Sequence, residues 1–238
     1  MKKLKSREIL SIILILIYII YFYIFCKYVV THDLLIGVKS VSSKNILLAF
    51  TSDFFASLLF PILLIFVFRH DLKKFNLVFR HTLLQYVLIG FIILTFILHN
   101  DFSLGGLYRL FFYLIPVAFS EEFIFRGYLY NELKSNNRLF AIILSGLLWG
   151  IPHAILPGLI ANKTILEFCL SMISEIGGGV LSGYYFIYLQ EKSNSLFIPI
   201  FVHALLDYSA GPLSIIPALG TFIYLFIKNK RNKLVKHK

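Results

Sequence analysis

Charge is scarce in this chain. Only 15% of its 238 residues are Asp, Glu, Lys or Arg, where soluble domains carry roughly 25%. With 58% hydrophobic residues and a mean hydropathy of +0.82, so few ions cannot cover a water-facing surface. The composition is that of an integral membrane protein. Cysteine is nearly absent as well: Cys26 and Cys169 lie far apart in apolar runs, which excludes a disulfide framework or a cysteine metal site. No repeat of solenoid period occurs, and the longest loop, about 31–44, is too short to fold alone. The expected architecture is all-α and polytopic, in one membrane domain.

What is abundant is the apolar run. The N-terminus from Met1 to Arg7 is basic, and an uncharged stretch from Ile9 to Cys26 follows without the small-residue cleavage site of a signal peptide. This predicts a retained first transmembrane helix. Further helix-length stretches recur at about 45–68, 82–99, 107–131, 139–160, 165–189, 195–209 and 212–227, making about eight with the first at 9–30. Placing the N-terminus in the cytoplasm puts 17 of the 23 basic residues inside: Lys2, Lys3, Lys5, Arg7, then Arg69, Lys73, Lys74, Arg80, then Lys134, Arg138, Lys192, and the tail from Lys228 to Lys238. Only Lys27, Lys39, Lys44 and Lys163 fall outside, while Arg109 and Arg126 lie within spans. The positive-inside rule therefore predicts a multi-pass cell-membrane protein with both termini cytoplasmic. The net charge of +11 is explained by orientation and by contact of the basic tail with anionic lipids, so no nucleic-acid partner is needed. The chain divides into N-terminal helices (1–106), a core (107–228) and a basic tail (229–238). Asp53, Pro61, His81 and His99 in the first part read as solvated or interfacial groups.

Three short segments place ionisable groups where lipid should exclude them. An ionised side chain at mid-membrane costs about 2.5–3.5 kcal/mol or more unless paired or hydrated. The fourth span carries Glu121, Glu122 and Arg126, and the i, i+4 spacing predicts a Glu122–Arg126 pair that leaves Glu121 free. The fifth carries Trp149 and His153, with Pro152 able to bend the helix. The seventh carries His203 and Asp207, again i, i+4, where Asp207 can orient the imidazole, join it as a metal ligand, or present its oxygen to a substrate. At ~1.5 Å per residue, Glu121, His153, His203 and Asp207 lie roughly 15, 21, 12 and 18 Å from the cytoplasmic ends of their spans. Independent packing residues need not share a layer; these do. In the sixth span Glu167 is expected near the interface and Glu175 as a hydrogen-bonded polar at a close helix contact, beside Gly177 to Gly183.

E-E-x-x-x-R at Glu121–Arg126, an aromatic-x-x-x-H at Trp149–His153 and H-x-x-x-D at His203–Asp207 resemble the signature motifs of the CPBP (Abi) family. This family comprises CAAX prenyl endopeptidases and bacteriocin-processing intramembrane proteases. The approach through Gly177–Gly183 and Ser193-Asn194-Ser195-Leu196 is similar too, and the resemblance covers about 115–210. Trp149 stands where phenylalanine is usual, and Asp207 where asparagine is common. The resemblance implies an intramembrane endopeptidase acting on a membrane-associated peptide or protein, with Glu121, Glu122, Arg126, His153, His203 and Asp207 as its site. Two versions stay open. In one, Zn²⁺ is held by Glu121, His153, His203 and Asp207; in the other, Glu121 and His153 activate water without metal and the last motif stabilises the oxyanion. The chain lacks H-E-x-x-H, G-x-S-G and G-x-G-D, which excludes three other intramembrane protease chemistries. The competing readings are a transporter or proton relay, though no inverted repeat is visible, and a non-catalytic immunity or scaffold protein. Abundant Ile, Lys, Asn and Phe suggest a bacterial source, where leader-peptide, bacteriocin or pheromone processing fits better than prenyl processing.

Overall fold

The computed structural model describes residues 4–209 and 211–236, and these are all-helical. Lys2, Lys3 and Lys238 lie outside the described residues, as do the side chains of Lys233 and Lys236. The helices are α1 (Ser6–Thr31), α2 (Ile46–Val67), α3 (Leu83–Leu98), α4 (104–133), α5 (Arg138–Ile160), α6 (Ile165–Ser193), α7 (Phe197–Tyr208) and α8 (Pro212–Lys236). Among the described residues, five are long and apolar enough to cross a membrane: α1, α2, α5, α6 and α8 as far as Asn232. Helices α3 and α7 are shorter, and α4 is divided into α and π turns, so the expected count of eight spans is not confirmed by length and composition.

Local chemistry sets the helix ends. Thr82 and Thr164 form capping boxes with Gln85 and Glu167, and Ser103 and Asn137 cap α4 and α5. Left-handed Asp33, Asn100, Asn162 and Asn194 close the preceding helices, because a short polar side chain tolerates positive φ. Glu167, predicted interfacial, is exposed at the start of α6 and accepts from the backbone and hydroxyl of Thr164.

Helices α5 and α6 pack backbone to backbone. A Cβ at Gly146 would stand 2.7 Å from the Gly179 carbonyl oxygen, and one at Gly150 2.4 Å from that of Glu175. Only glycine lets these backbones meet. The Glu175 carboxylate, expected to be hydrogen-bonded at this contact, instead lies on the exposed face of α6; it is the carbonyl of Glu175 that meets α5. One apolar core runs through the bundle, joining Ile15 and Tyr18 of α1 and Leu64 of α2 to Phe123, Tyr128, Leu148, Ile187 and Val202. Outward faces carry exposed Leu, Ile and Phe along every long helix, as a lipid-facing surface requires.

The two ends of the bundle differ. At one, Arg7 pairs with Asp71 (2.5 Å) and Glu132 (2.9 Å), Lys74 with Glu132 (2.7 Å), and Arg138 with Glu191 (2.7 Å), while Arg80 donates to the Asn194 carbonyl. This end gathers the described loops that the charge pattern assigns to a single face. At the other, Arg109 pairs with Asp101 and donates to His99, and the Tyr208 hydroxyl donates to Asp101.

Candidate active site

Helix α4 is bent out of regular α geometry just where the acids lie. Pro116 has no N–H to continue the ladder, and π turns occupy Tyr113–Phe119 and Glu122–Tyr130 on either side of Ser120 and Glu121. The Ser120 hydroxyl donates back to the Pro116 and Val117 carbonyls one turn earlier. The wide turns aim the two adjacent carboxylates differently. Glu122 and Arg126 are wholly buried, whereas the Glu121, His153 and Asp207 side chains are 21%, 32% and 36% exposed.

All six predicted residues come together. Glu121 Oε2 lies 3.6 Å from His153 Nε2 and 3.9 Å from His203 Nε2, and His203 Nε2 lies 3.3 Å from Asp207 Oδ2. Each ring is fixed through its other nitrogen. His153 Nδ1–H donates to the Trp149 carbonyl at 2.9 Å, and His203 Nδ1–H donates to Glu122 Oε1 at 2.9 Å. With each Nδ1–H so engaged, both Nε2 atoms turn toward Glu121.

Two expectations change. Glu122, rather than Asp207, holds the far nitrogen of His203; the predicted Glu122–Arg126 ion pair is present, with Nη1 3.4 Å from Glu122 Oε1 and no hydrogen bond between them. The guanidinium also lies over the rings of Trp149 (4.5 Å) and Phe186 (5.4 Å), cation–π contacts for a desolvated cation. Trp149, expected to change nothing chemically, donates its indole N–H to Glu121 Oε2 at 2.6 Å. A phenylalanine at that position has no such donor. The i, i+4 rule finds partners on one helix and could not show either bond, since both run between helices.

The N-terminal helices contribute more than the sequence indicated. A cavity of about 230 Å³ reaches from Glu121, Trp149 and His153 between α1, α2, α4 and α5 toward Val29 and Leu35, at the end away from Arg7 and Lys74. Tyr18, Phe22 and Phe25 of α1 and Ser52, Asp53 and Ser57 of α2 form its second wall. His203 and Asp207 face Glu121 from the other side. At ~30 Å³ per water, the space holds several waters.

The donor set of two imidazole Nε2 atoms and two carboxylates suits zinc chemically, and neighbouring separations of 3.3 to 3.9 Å are near the ~3.3 Å edge of a tetrahedral site. Among the described residues, however, no group of three His, Cys, Asp or Glu side chains already surrounds one ion position.

Residues 103–209 match the family model of the type II CAAX prenyl endopeptidase Rce1-like proteins. No curated protein and no solved structure matches the chain.

Proposed function

From the membership of residues 103–209 in the Rce1-like family of type II CAAX prenyl endopeptidases, we propose that this multi-pass membrane protein hydrolyses peptide bonds with a water activated by Glu121 and His153. The observation that carries the reading is the meeting of Glu121 Oε2 with two ring nitrogens, each pre-aimed by a hydrogen bond on its far side. Preorganised base and acceptor geometry is what general-base hydrolysis needs.

In this mechanism a water in the cavity donates one hydrogen to Glu121 and the other to His153 Nε2. As the water oxygen attacks the substrate carbonyl, its proton passes to Glu121 and the carbonyl becomes an oxyanion. His203, held between Glu122 and Asp207, supplies an N–H toward that charge when protonated at Nε2. Collapse of the tetrahedral species breaks the C–N bond, and Glu121 returns its proton to the departing amine. Arg126 and Glu122 neutralise each other behind this layer. If Zn²⁺ is bound, His153, His203, Glu121 and Asp207 would hold it, and it would lower the pKa of the attacking water. Elemental analysis of protein purified without chelator tests that version: about one Zn²⁺ per chain, lost in His203→Ala, supports it, and a fully active metal-free preparation ends it.

The substrate is a membrane-associated peptide or protein segment; maturation of a peptide leader or bacteriocin and CAAX-type processing both present such a segment. The acids do not favour a proton relay: Glu132 is tied to Arg7 and Lys74, while Glu167 and Glu175 face outward. Turnover of quenched-fluorescence apolar peptides by the protein in lipid nanodiscs tests the reading. Glu121→Gln and His153→Ala should each lose about a hundredfold or more in kcat while still accumulating in the membrane. Undiminished turnover by both variants overturns the assignment.

A further inference from the structure

We propose that Asp53 is a specificity-determining residue, selecting substrates that place a cationic group in the far part of the cavity. The proposal rests on the hydrolytic reading above for its reaction but on separate residues for its geometry.

Asp53 lines the same cavity as Glu121 and His153, on the opposite wall. Its carboxylate is anchored: the Tyr108 hydroxyl of α4 donates to Oδ2 at 2.5 Å, and among the described residues no cation pairs with it. Among the described residues no Lys or Arg lines the cavity. An intramembrane carboxylate without a counter-charge is costly, and such groups generally mark a ligand path. The backbone supports the placement. A π turn at Phe54–Leu58 follows Asp53 directly, and Ser52, Asp53, Ala56 and Ser57 all reach the cavity around it. Extra residues of this kind within a helix often occur at functional sites. Tyr18, Phe22, Phe25 and Phe112 supply the rest of the wall, so the space suits apolar side chains flanking one positive charge.

Among the described residues two acids and no Lys or Arg line the cavity, so a cationic group there is attracted where an anionic one is repelled. The cationic group can come from a Lys or Arg side chain or from a free N-terminal ammonium; the chemistry that Asp53 reads is the same.

The test uses the full-length protein in lipid nanodiscs and a set of twelve-residue Ala/Leu peptides with fluorophore and quencher. One position at a time carries Lys, Gln or Glu, and each peptide is made with a free and an acetylated N-terminus to separate the two sources of charge. The wild type should prefer Lys to Gln by about tenfold or more in kcat/KM at one position, or the free N-terminus over the acetylated one. Asp53→Asn should bring that ratio close to one, Asp53→Lys should favour Glu, and Asp53→Glu should keep the original sign. A preference retained in Asp53→Asn overturns the proposal. Binding of the same peptides to Glu121→Gln is measured in parallel. Charge-selective binding lost on adding Asp53→Asn, without cleavage by the wild type, retains Asp53 and removes the protease. Cleavage without charge preference does the reverse, and absence of both ends the two together.

Discussion

Glu121 and Glu122 are chain neighbours with opposite tasks, and burial separates them. Glu122 is sealed from the cavity and holds His203 Nδ1, whereas Glu121 is partly accessible and faces both Nε2 atoms. Removing a partner that orients an imidazole typically costs 10–100-fold. Glu122→Gln should therefore lower kcat by about that factor with little change in KM. Steady-state kinetics distinguishes this from Glu121→Gln, and a Glu122 variant as inactive as the Glu121 one would show that both carboxylates touch the reacting atoms. Trp149→Phe removes only the indole donor to Glu121, a charge-assisted bond worth about 1.5–3 kcal/mol in general. That variant should stay active, with kcat/KM reduced by roughly ten- to a hundredfold. The identities of the six residues were legible because ionisable groups are conspicuous in apolar sequence. Their partners were not: the bonds from His203 to Glu122 and from Trp149 to Glu121 span 81 and 28 positions. No periodicity within one helix encodes such contacts.

At the scale of elements, position was easier to read than shape. Apolar runs, capping residues and asparagines place most helices within a few residues, as in α6, expected over 165–189 and found over Ile165–Ser193, whereas α8, expected over 212–227, runs on to Lys236. Irregularity inside a helix left less trace. The span expected as one helix at 107–131 carries two π segments, for which Pro116 was the visible cause only of the first. The glycine run of α6 signalled a close contact but not which helix would make it. That contact fixes α5, and with it Trp149 and His153. Gly150→Leu would push a side chain into the α6 backbone, where overpacking costs about 1–3 kcal/mol or more. We expect a lower melting temperature in detergent and loss of turnover together. Gly178→Leu, at a site with open space around it, is the control and should change neither. Equal effects from the two would mean that the α5–α6 contact is not what holds the site.

For the whole molecule, charge and contact agree about alternation. The basic clusters from the N-terminus, the α2–α3 loop, the end of α4, the start of α5 and the end of α6 gather at one end, although 125 positions separate Arg7 from Glu132. Placing that end in the cytoplasm predicts that reporters fused after Phe226 and near Ile160 lie on opposite sides of the membrane; agreement between them would refute the arrangement. The cavity then reaches away from the cytoplasm, toward Val29 and Leu35, a feature invisible in the sequence because its second wall comes from α1 and α2, outside the three motifs. The central claim is that water, activated at Glu121, cleaves a peptide within this bundle. Mass spectrometry of products formed in H₂¹⁸O by nanodisc-embedded protein tests it most directly. The wild type should release a fragment with one ¹⁸O in its new carboxylate, and Glu121→Gln should release essentially none. Labelled product at the wild-type rate from Glu121→Gln, or no product from the wild type across the peptide set, would contradict it.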